Sequence, residues 1–288
     1  MNYPKISIVT PVFNQVNYIE QTIMSVLNQG YPNLEYIIID GASTDGTIDI
    51  IKKYDSQITC WISEPDNGMY DALQKGLNMC SGEIMGWINA DDTYYSRCLF
   101  VLANVFVNNP QVEWVTGMQT TIDEDGMILR NEEGRFLSKY NFYMKDFQWI
   151  AQESTLWRRS LWEKCGGTLD VRLRYAGDFE LWLRFFRYAP LFHVQSPIGT
   201  YRVRHGQLSG SIEKYMYEVD MIYNELVINK SDLRICKRYK SKKSISNIIG
   251  KFRILNGDKI VRLRSFEKKY FPNLKIQWDG ESRFVIVS

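Results

Sequence analysis

The sequence predicts an α/β fold in which a mostly parallel central sheet is flanked by helices. In the first hundred residues, short runs of apolar and β-branched residues alternate with segments whose apolar residues recur at helical spacing. This alternation is typical of βαβ units, whose strands run parallel. With 288 residues, 45% of them hydrophobic and 24% charged, the chain can form one large domain with an appendage, or two modest domains.

The first part of the predicted sheet contains four strands separated by three helices. The strands are short, largely apolar runs that we expect to be buried, and they cover residues 6–9, 36–39, 59–62 and 84–88. The intervening helices are predicted over residues 17–29, after a cap at Thr44 or Asp45, and from Asn67-Gly68 onward. Residues 1–95 therefore form the first predicted unit.

Beyond residue 95 the pattern is less regular. A helix over 96–107 is followed by a strand at 114–116 and a hairpin turn at Asp123-Glu124-Asp125-Gly126. Residues 136–176 are predicted to be irregular and are rich in aromatic residues, and a helix over 178–188 and a strand over 192–203 follow. We assign 96–212 to a second, more variable half and 213–288 to a basic, mainly helical C-terminal extension.

Cysteine usage and the start of the chain favour a cytoplasmic protein. The five cysteines are scattered and lack CxxC spacing, which favours reduced thiols over a disulfide framework or a zinc site. The N-terminal residues lead directly into an apolar strand, so we expect no signal peptide. No apolar run approaches the ~20 residues that a membrane-spanning helix needs.

The C-terminal extension is strongly basic between residues 230 and 269. Such a stretch suits contact with anionic lipid, each basic residue adding about 1 kcal/mol near the surface. A solvated helical surface and nucleic-acid binding are the alternatives, and we expect no nucleic acid because the rest of the chain is acidic and lacks a recognised motif. Its basic residues include Lys237, Arg238, Lys240, Lys242, Lys243, Lys251, Arg253, Lys259, Arg262, Arg264, Lys268 and Lys269.

Acidic residues follow three of the four predicted strands. Asp40 ends the second strand, Asp66 comes after the third, and the fourth leads into Asn89-Ala90-Asp91-Asp92. In an open parallel sheet, ligands bind outside the carboxyl ends of the strands. Asp66 alone is equally suited to a turn or a helix cap, whereas Asp91-Asp92 after a buried apolar strand favours a functional site. Several acidic residues at one edge indicate a site for a cation or for hydroxyl groups, and hard divalent cations prefer carboxylate oxygens.

Two common phosphate-binding classes are disfavoured. No GxGxxG follows the first strand, and GxxxxGK[ST] does not occur in the sequence, so the dinucleotide-binding and P-loop classes lack their glycine-rich loops. A diphosphate at this sheet would therefore be held through a metal.

Four ordered motifs resemble the family 2 glycosyltransferases with a GT-A fold, over about residues 4–212. They are Val9-Thr10-Pro11-Val12-Phe13-Asn14, Ile39-Asp40-Gly41-Ala42-Ser43-Thr44-Asp45-Gly46-Thr47, Glu64-Pro65-Asp66-Asn67-Gly68-Met69-Tyr70-Asp71-Ala72 and Asn89-Ala90-Asp91-Asp92. The resemblance implies a GT-A (Rossmann-like) fold, with a nucleotide-sugar-binding half at 1–95 and an acceptor-binding, catalytic half at 96–212.

The resemblance also implies donor-binding residues. Thr10, Pro11 and Phe13 would line the nucleobase pocket, Asp40 would contact the base or ribose, and Asp66 and Lys75 would border the donor. Asp91 and Asp92 resemble the family's DXD-type motif, which holds Mn²⁺ or Mg²⁺ against the pyrophosphate. Asn89 replaces the first acidic residue of the fuller form, so it is assigned to donor binding and the metal rests on Asp92 first and Asp91 second.

Later segments supply the implied catalytic and acceptor residues. Ala176-Gly177-Asp178-Phe179-Glu180 is similar to the family's Glu-Asp segment, so Asp178 is the expected general base, although it also suits the N-cap of a helix. Glu180 is the second candidate. Gln152 and Glu153 resemble the acceptor-proximal segment, and Trp149 beside them is the aromatic residue most suited to an acceptor platform, since most neighbouring aromatics are expected in the core.

The segment Tyr201-Arg202-Val203-Arg204-His205-Gly206-Gln207-Leu208-Ser209 resembles the family's closing motif. It places Arg202 at the donor and His205 at the metal or diphosphate, whereas His193 is expected in the core. The resemblance favours a UDP-sugar donor, a glycan or lipid-linked glycan acceptor, and bacterial surface polysaccharide synthesis in the cytoplasm or at the inner face of the membrane. A non-catalytic sugar-binding relative and a nucleotidyltransferase remain alternatives.

Overall fold

A single continuous path of nine strands, in the order β12-β11-β9-β6-β8-β4-β1-β2-β3, forms the main sheet in the part of the chain that the structure describes. The structure is a computed structural model, and it describes residues 3–147, 149–207, 210–251 and 257–287. The strands are β1 (Ile6–Val12), β2 (Leu34–Asp40), β3 (Cys60–Ser63), β4 (Ile84–Trp87), β5 (Thr93–Tyr94), β6 (Trp114–Ile122), β7 (Ile128–Glu132), β8 (Thr155–Arg158), β9 (Phe192–Pro197), β10 (Gly199–Arg202), β11 (Lys275–Trp278) and β12 (Phe284–Val287).

Helices cover both faces of this sheet. They are α1 (Ile19–Leu27), α2 (Thr47–Lys53), α3 (Met69–Met79), α4 (Cys98–Asn108), α5 (Lys139–Tyr143), α6 (Arg159–Lys164), α7 (Gly177–Phe185), α8 (Ile212–Glu225), α9 (Lys230–Lys251) and α10 (Gly257–Tyr270). A short 3₁₀ turn spans Gln152–Ser154. The predicted α/β class with a mostly parallel central sheet and flanking helices is confirmed.

The four predicted N-terminal strands are adjacent and parallel, in the order β4-β1-β2-β3. All seven residues of β1 are buried because helices cover both faces. Ile6 and Ile8 pack toward α1, α2 and α4, while Val9 packs toward α3 and α7. Gly76 allows α3 to approach β1 closely, because a Cβ there would collide with the Val9 side chain.

Strand β8 is the main departure from the predicted order. It lies in the segment predicted to be irregular, and it inserts between β4 and β6, antiparallel to both. The strand predicted over 192–203 is divided at Ile198 into β9, which pairs with β6, and β10, which pairs with β5 and the far end of β6. These pairings place residues 1–95 and 96–212 in one shared sheet.

Aromatic packing holds α7 against the sheet. Trp182 of α7 stacks on Trp87 with ring centroids 5.8 Å apart and on Trp114 at 5.5 Å, and Trp157 meets it edge-on at 5.9 Å. All four indoles are fully buried, as expected for most of the aromatic residues of this region. Since α7 begins at Gly177, this cluster fixes the position of Asp178.

The C-terminal extension contains three helices, α8 to α10, and two strands that the sequence analysis did not predict. Strand β11 pairs in parallel with β9, and β12 pairs with β11. Ile276 and Phe284 are buried in the same core as Ile6. Helices α9 and α10 meet through aromatic side chains, with Tyr239 and Phe271 centroids 4.2 Å apart. None of the helices in the described residues is long and apolar enough to cross a bilayer.

Candidate functional site

The carboxyl ends of β2 and β3 form one corner of a crevice. Asp40 is fully buried, and its Oδ2 accepts hydrogen bonds from the Ser43 N–H at 3.0 Å and the Ser63 hydroxyl at 2.7 Å. Its Oδ1 is buried without a hydrogen-bond partner among the described residues. A buried acceptor of this kind is costly to leave unpaired, so Oδ1 is suited to a donor group on a ligand.

Asp66 lies against the backbone that follows Asp40. A Cβ on Gly41 would be 2.6 Å from Asp66 Oδ2, which explains the glycine at position 41. The other carboxylate oxygen, Oδ1, accepts from the Gly68 N–H at 2.8 Å at the start of α3. Lys75 lies on the same helix, where its ammonium group pairs with Glu64 at 2.8 Å, and this hydrogen bond raises its pKa. The structure therefore brings Asp40 and Asp66 together, with Lys75 at the rim.

The end of β1 differs from the sequence-based expectation in one respect. Pro11 is buried, and the Thr10 hydroxyl lies in the core, 3.1 Å from the Tyr36 hydroxyl, so Thr10 supports the sheet rather than lining an open pocket. Phe13, which is 58% exposed, is the residue of the three with a ring available to a nucleobase.

The turn after β4 holds Asp92 in a buried position. Only 2% of Asp92 is exposed, and its Oδ1 accepts from the Arg202 N–H at 2.8 Å while its Oδ2 accepts from Asn89 Nδ2 at 3.2 Å. Thr22 of α1 fixes the same turn by donating to the Asp92 carbonyl at 2.7 Å. Burial raises the pKa of Asp92 well above its usual value, and the neighbouring carboxylates of Asp91 and Glu153 raise it further.

Arg202 is a buried anchor of this turn. Its guanidinium donates to the carbonyls of Asp91, Asp123 and Glu124 at 2.7–3.0 Å and to Gln21 Oε1 at 2.8 Å. These four hydrogen bonds join the Asp91-Asp92 turn to the β6–β7 hairpin and to α1. These contacts give Arg202 a positioning role, and its expected contact with the donor stays a prediction.

Arg204, for which the sequence indicates no role, pairs with Asp91, one of the expected metal ligands. Its Nε lies 2.6 Å from Asp91 Oδ2, and both Arg204 and Arg202 lie over the Tyr18 ring, at 5.4 and 5.1 Å. His205 is exposed, and its backbone N–H donates to Glu124 Oε1 at 2.9 Å. Leu208 and Ser209 of the same motif lie outside the described residues. Within the described residues, no three His, Cys, Asp or Glu side chains converge as a ready-made metal cage.

Asp178 lies half-buried in the first turn of α7. Its Oδ1 accepts from the Phe179 N–H at 2.8 Å and lies 3.4 Å from the Tyr70 hydroxyl. The N-cap of α7 is Ala176, so Asp178 does not cap the helix. Burial raises the pKa of Asp178 to about 6, against the lowering effect of its hydrogen bonds to Phe179 and Tyr70.

Tyr70 occupies the space beside Gly177, the residue before Asp178. A Cβ on Gly177 would lie 2.7 Å from Tyr70 Cε1 and Cζ. The Tyr70 hydroxyl accepts from the Asp178 N–H at 3.2 Å and lies 3.2 Å from the Tyr175 carbonyl, to which it can donate. Position 177 departs from the resembled Glu-Asp pair because the tyrosine ring fills the volume that a side chain would need.

Glu153 interacts electrostatically with both Asp92 and Asp178. It is buried, and desolvation raises its pKa to about 7, with a further contribution from Asp178. Gln152 beside it donates from Nε2 to the Trp87 carbonyl at 2.7 Å, and its Oε1 is buried with no partner in the described part of the chain. The crevice thus carries several carboxylates with raised pKa values, as expected for a site that binds cations or transfers protons.

Glu180, Trp149 and His193 differ in their burial and pairing. Glu180 forms a two-point ion pair with Arg184, whose guanidinium also donates to the carbonyls of Cys165 and Thr168. This pairing gives Glu180 a structural role, so Asp178 is the better candidate for a base. Trp149 is 53% exposed and meets Tyr215 edge-on at 6.0 Å. His193 is buried in the core, and burial lowers its pKa to about 4.

A parallel four-strand unit with carboxylates at its strand ends, and a second acidic group at an adjacent helix start, is suited to a transferase of the α/β class. The family model for glycosyl transferase family 2 matches residues 7–163, and the chain belongs to this family. It is a glycosyltransferase, an enzyme that transfers sugar groups.

Similar proteins agree with this assignment. TuaG of Bacillus subtilis, whose name assigns it to teichuronic acid biosynthesis, is 25% identical over 240 residues, which cover 77% of this chain and 88% of TuaG. An uncharacterized glycosyltransferase of Rickettsia typhi is 26% identical over 226 residues, covering 77% of this chain and 71% of that protein.

Solved structures share the fold. S. aureus TarS 1-349 in complex with UDP-GlcNAc gives a TM-score of 0.64 at 14% identity, over 92% of this chain and 80% of that one. In a longer TarS structure the match spans 39% of the TarS chain. The mannosyltransferase PcManGT from Pyrobaculum calidifontis, in complex with GDP-Man and Mn²⁺, gives 0.61 at 17% identity, over 81% of this chain and 67% of that one.

Proposed function

We propose that this enzyme transfers a sugar, with inversion, from a nucleoside-diphosphate donor to a hydroxyl group of a glycan or lipid-linked glycan, and that Asp178 is the general base. The observation that carries the proposal is the position and protonation of Asp178. It lies in the crevice that also contains Asp91, Asp92 and Glu153, and its pKa of about 6 leaves it ionised yet basic near neutral pH. A general base works best when its pKa lies near the working pH.

The donor is proposed to lie along the ends of β1 to β4. The free Oδ1 of Asp40 and the exposed ring of Phe13 would bind the nucleoside, and Asp66 would border it. A UDP-sugar is the favoured donor because TarS, a structural neighbour, is described in complex with UDP-GlcNAc. PcManGT is described with GDP-Man, so a GDP-sugar is the second candidate donor.

The residues of the β4 turn fit a divalent cation. Asp92 is a buried carboxylate beside two other acidic groups, and the buried Oδ1 of Asn89 is unpaired among the described residues. Both features favour compensation by a cation, which we propose to be Mn²⁺ or Mg²⁺ held by Asp92, with Asp91 and His205 as further candidates. When bound, such an ion neutralises charge on the leaving diphosphate. Diphosphate oxygens would complete its coordination, since the protein ligands alone are too few.

In the proposed reaction, the acceptor hydroxyl gives its proton to Asp178 as its oxygen attacks the anomeric carbon, and the bond from that carbon to the diphosphate breaks. Positioned bases of this kind contribute about 10²–10⁴-fold to the rate. Tyr70 holds Asp178 in place through two contacts, and burial keeps the Tyr70 phenol protonated by raising its pKa. Trp149, Gln152 and Glu153 are proposed to border the acceptor.

Donor binding and turnover are measured separately to test this proposal. UDP-, GDP- and dTDP-sugars are screened for thermal stabilisation with Mn²⁺ and with chelator, and the best donor is assayed for release of nucleoside diphosphate. Asp178→Asn should keep the stabilisation and lose about 10²-fold or more in turnover. Near-normal turnover in this variant would remove Asp178 from the base role. Stabilisation of the wild type without any release would favour a sugar-binding relative without catalysis.

A further proposal concerns the basic extension. On α9, Lys237, Lys240 and Lys243 are exposed, which supports contact with anionic lipid headgroups. Two other basic residues of α9 instead pack against α10. Arg238 and Lys242 lie over the Phe266 ring at 5.8 and 5.6 Å. The side chains of Lys251, Arg253, Lys259 and Arg262 lie outside the described residues. Co-sedimentation with liposomes that does not depend on anionic lipid would contradict this proposal.

A further inference from the structure

A second cleft lies between helix α8 and residues 170–175, the segment that leads into α7. Its volume is about 560 Å³, within the range of about 300–1,000 Å³ that is usual for ligand sites. One wall is a single face of α8 from Glu213 to Glu225. These twelve residue steps correspond to about 18 Å of helix, so the cleft is an elongated groove.

Aromatic rings and charged groups of both signs line the groove. The ring of Tyr217 is 69% exposed, and Tyr175 faces the groove from the opposite wall. The Lys214 ammonium lies 5.7 Å from the Tyr175 ring centroid. At the far end, Arg172 reaches Glu225 on α8 at 3.5 Å, so one ion pair spans the two walls.

The groove is physically joined to the proposed base. Glu218 of α8 accepts hydrogen bonds at 2.8 Å from the N–H groups of three consecutive residues, Arg174, Tyr175 and Ala176, immediately before α7. The Tyr175 carbonyl lies 3.2 Å from the Tyr70 hydroxyl, which contacts Asp178. Tyr215, also on α8, is close enough to Asp178 for the two to interact electrostatically. The Tyr175 end of the groove is therefore the end near Asp178.

We infer that this groove binds the sugars of a glycan acceptor that lie beyond the sugar being modified. The inference rests on the proposed function, because it needs Asp178 to mark the reacting hydroxyl. Tyrosine rings offer rigid, amphipathic contact surfaces at a low cost in conformational entropy. Carboxylates such as Glu213 and Glu225 accept hydrogen bonds from hydroxyl groups, while Lys214 and Arg172 donate them. A groove about 18 Å long suits several linked sugars rather than one.

The experiment compares Tyr217→Ala/Lys214→Ala with a matched surface variant, Tyr188→Ala. Tyr188 is 58% exposed and lies outside the groove. The probe is an array of immobilised oligosaccharides of defined sequence, from single sugars to hexasaccharides, tested with the full chain in the presence of UDP and Mn²⁺. The UDP-sugar-dependent shift in melting temperature is measured in parallel, and it reports folding and donor binding.

We expect wild type and Tyr188→Ala to prefer oligosaccharides to single sugars. The double variant should bind the same oligosaccharides at least about tenfold more weakly, which corresponds to about 1.4 kcal/mol, while its donor-dependent melting shift persists. Undiminished oligosaccharide binding by the double variant would overturn the inference and leave the proposed function intact. Equal binding of single sugars and oligosaccharides by the wild type, or no binding to the array, would also overturn it. A wild type without any donor-dependent shift would instead count against the proposed function.

Discussion

Tyr70 and Gly177 are complementary: the tyrosine ring lies so close that a Cβ on Gly177 would be 2.7 Å from its Cε1 and Cζ atoms. The two residues belong to different motifs, at the start of α3 and the start of α7. Their contact explains how the chain departs from the resembled Glu-Asp pair and still holds Asp178 in the crevice.

Gly177→Ala should destabilise the protein, although alanine is intrinsically the better helix residue. Forcing a methyl group against the Tyr70 ring is overpacking, which typically costs about 1–3 kcal/mol. The free energy of unfolding from urea titration measures this cost. Gly210→Ala is the control, because a Cβ at Gly210 would meet nothing within 4 Å. Equal stability of the two variants would show that the ring moves aside freely.

Tyr70→Phe should move the acid limb of the kcat/KM profile to higher pH. The Tyr70 hydroxyl lowers the pKa of Asp178, so its removal raises that pKa above the present value of about 6. Because the ionised carboxylate is the active form, activity then appears only at higher pH. Measurement across pH 5 to 9, with Tyr188→Phe as a control, separates this effect from a general loss of activity, which would lower the profile without moving it.

Glu153 should contribute a fall in stability as the pH rises from about 4.5 to about 7, and His193 opposes it, because burial lowers the His193 pKa from 6.5 to about 4. Glu153 has its pKa raised from 4.5 to about 7 in the folded state, so the folded protein binds the extra proton in this window. A group with a raised folded pKa stabilises the protein below its unfolded pKa, and that contribution is lost as the pH rises through the folded pKa. Asp178 adds the same sign of dependence.

Glu153→Gln should therefore remove the falling contribution and make the slope of stability against pH more positive, because glutamine has no proton to lose. The melting temperature is recorded against pH for the wild type, for Glu153→Gln and for Glu281→Gln, which changes an exposed glutamate. A wild-type slope that Glu153→Gln leaves unchanged would assign the dependence to other groups.

Arg202→Lys should be strongly destabilising despite the retained charge. Lysine cannot reproduce the fork that serves Gln21 and the carbonyls of Asp91, Asp123 and Glu124. Leaving several of these buried acceptors unpaired should cost about 3 kcal/mol or more. Arg130→Lys, on exposed strand β7, should cost little. If Arg202→Lys kept its stability and lost only donor affinity, the donor-binding role first expected from the sequence would be supported.

Much of the fold follows from the sequence because its pattern is local. The runs that became β1, β2, β3 and β4 are apolar enough to be recognised singly, and parallel pairing brings their carboxyl ends to one edge. Asp40, Asp66 and Asp92 could therefore be grouped without coordinates. The contact of the Thr10 hydroxyl with that of Tyr36 inside the core could not be predicted in this way, because it joins side chains of two different strands.

Features that depend on distant pairings could not be predicted. Strand β8 has four residues and lies in an aromatic segment without clear periodicity, so its insertion between β4 and β6 left no local signal. The Arg204–Asp91 ion pair joins residues far apart in sequence. A signal did exist for Tyr70, since Gly177 stands where the family pattern has a larger residue, but the partner that fills the space is known only from the fold.

The pairing of β11 with β9 makes the C-terminal segment part of the sheet rather than a removable tail. Asn104 and Asn109 of the α4 region bind the backbone N–H and carbonyl of Phe284, each at 2.9 Å, and so hold β12 beside β11. A protein shortened to residues 1–212 would leave the hydrogen-bonding edge of β9 uncovered, and such edges recruit other chains. We therefore expect β11 and β12 to prevent self-association by covering this edge. Expression of the shortened form is expected to give aggregates, whereas the full chain stays dispersed.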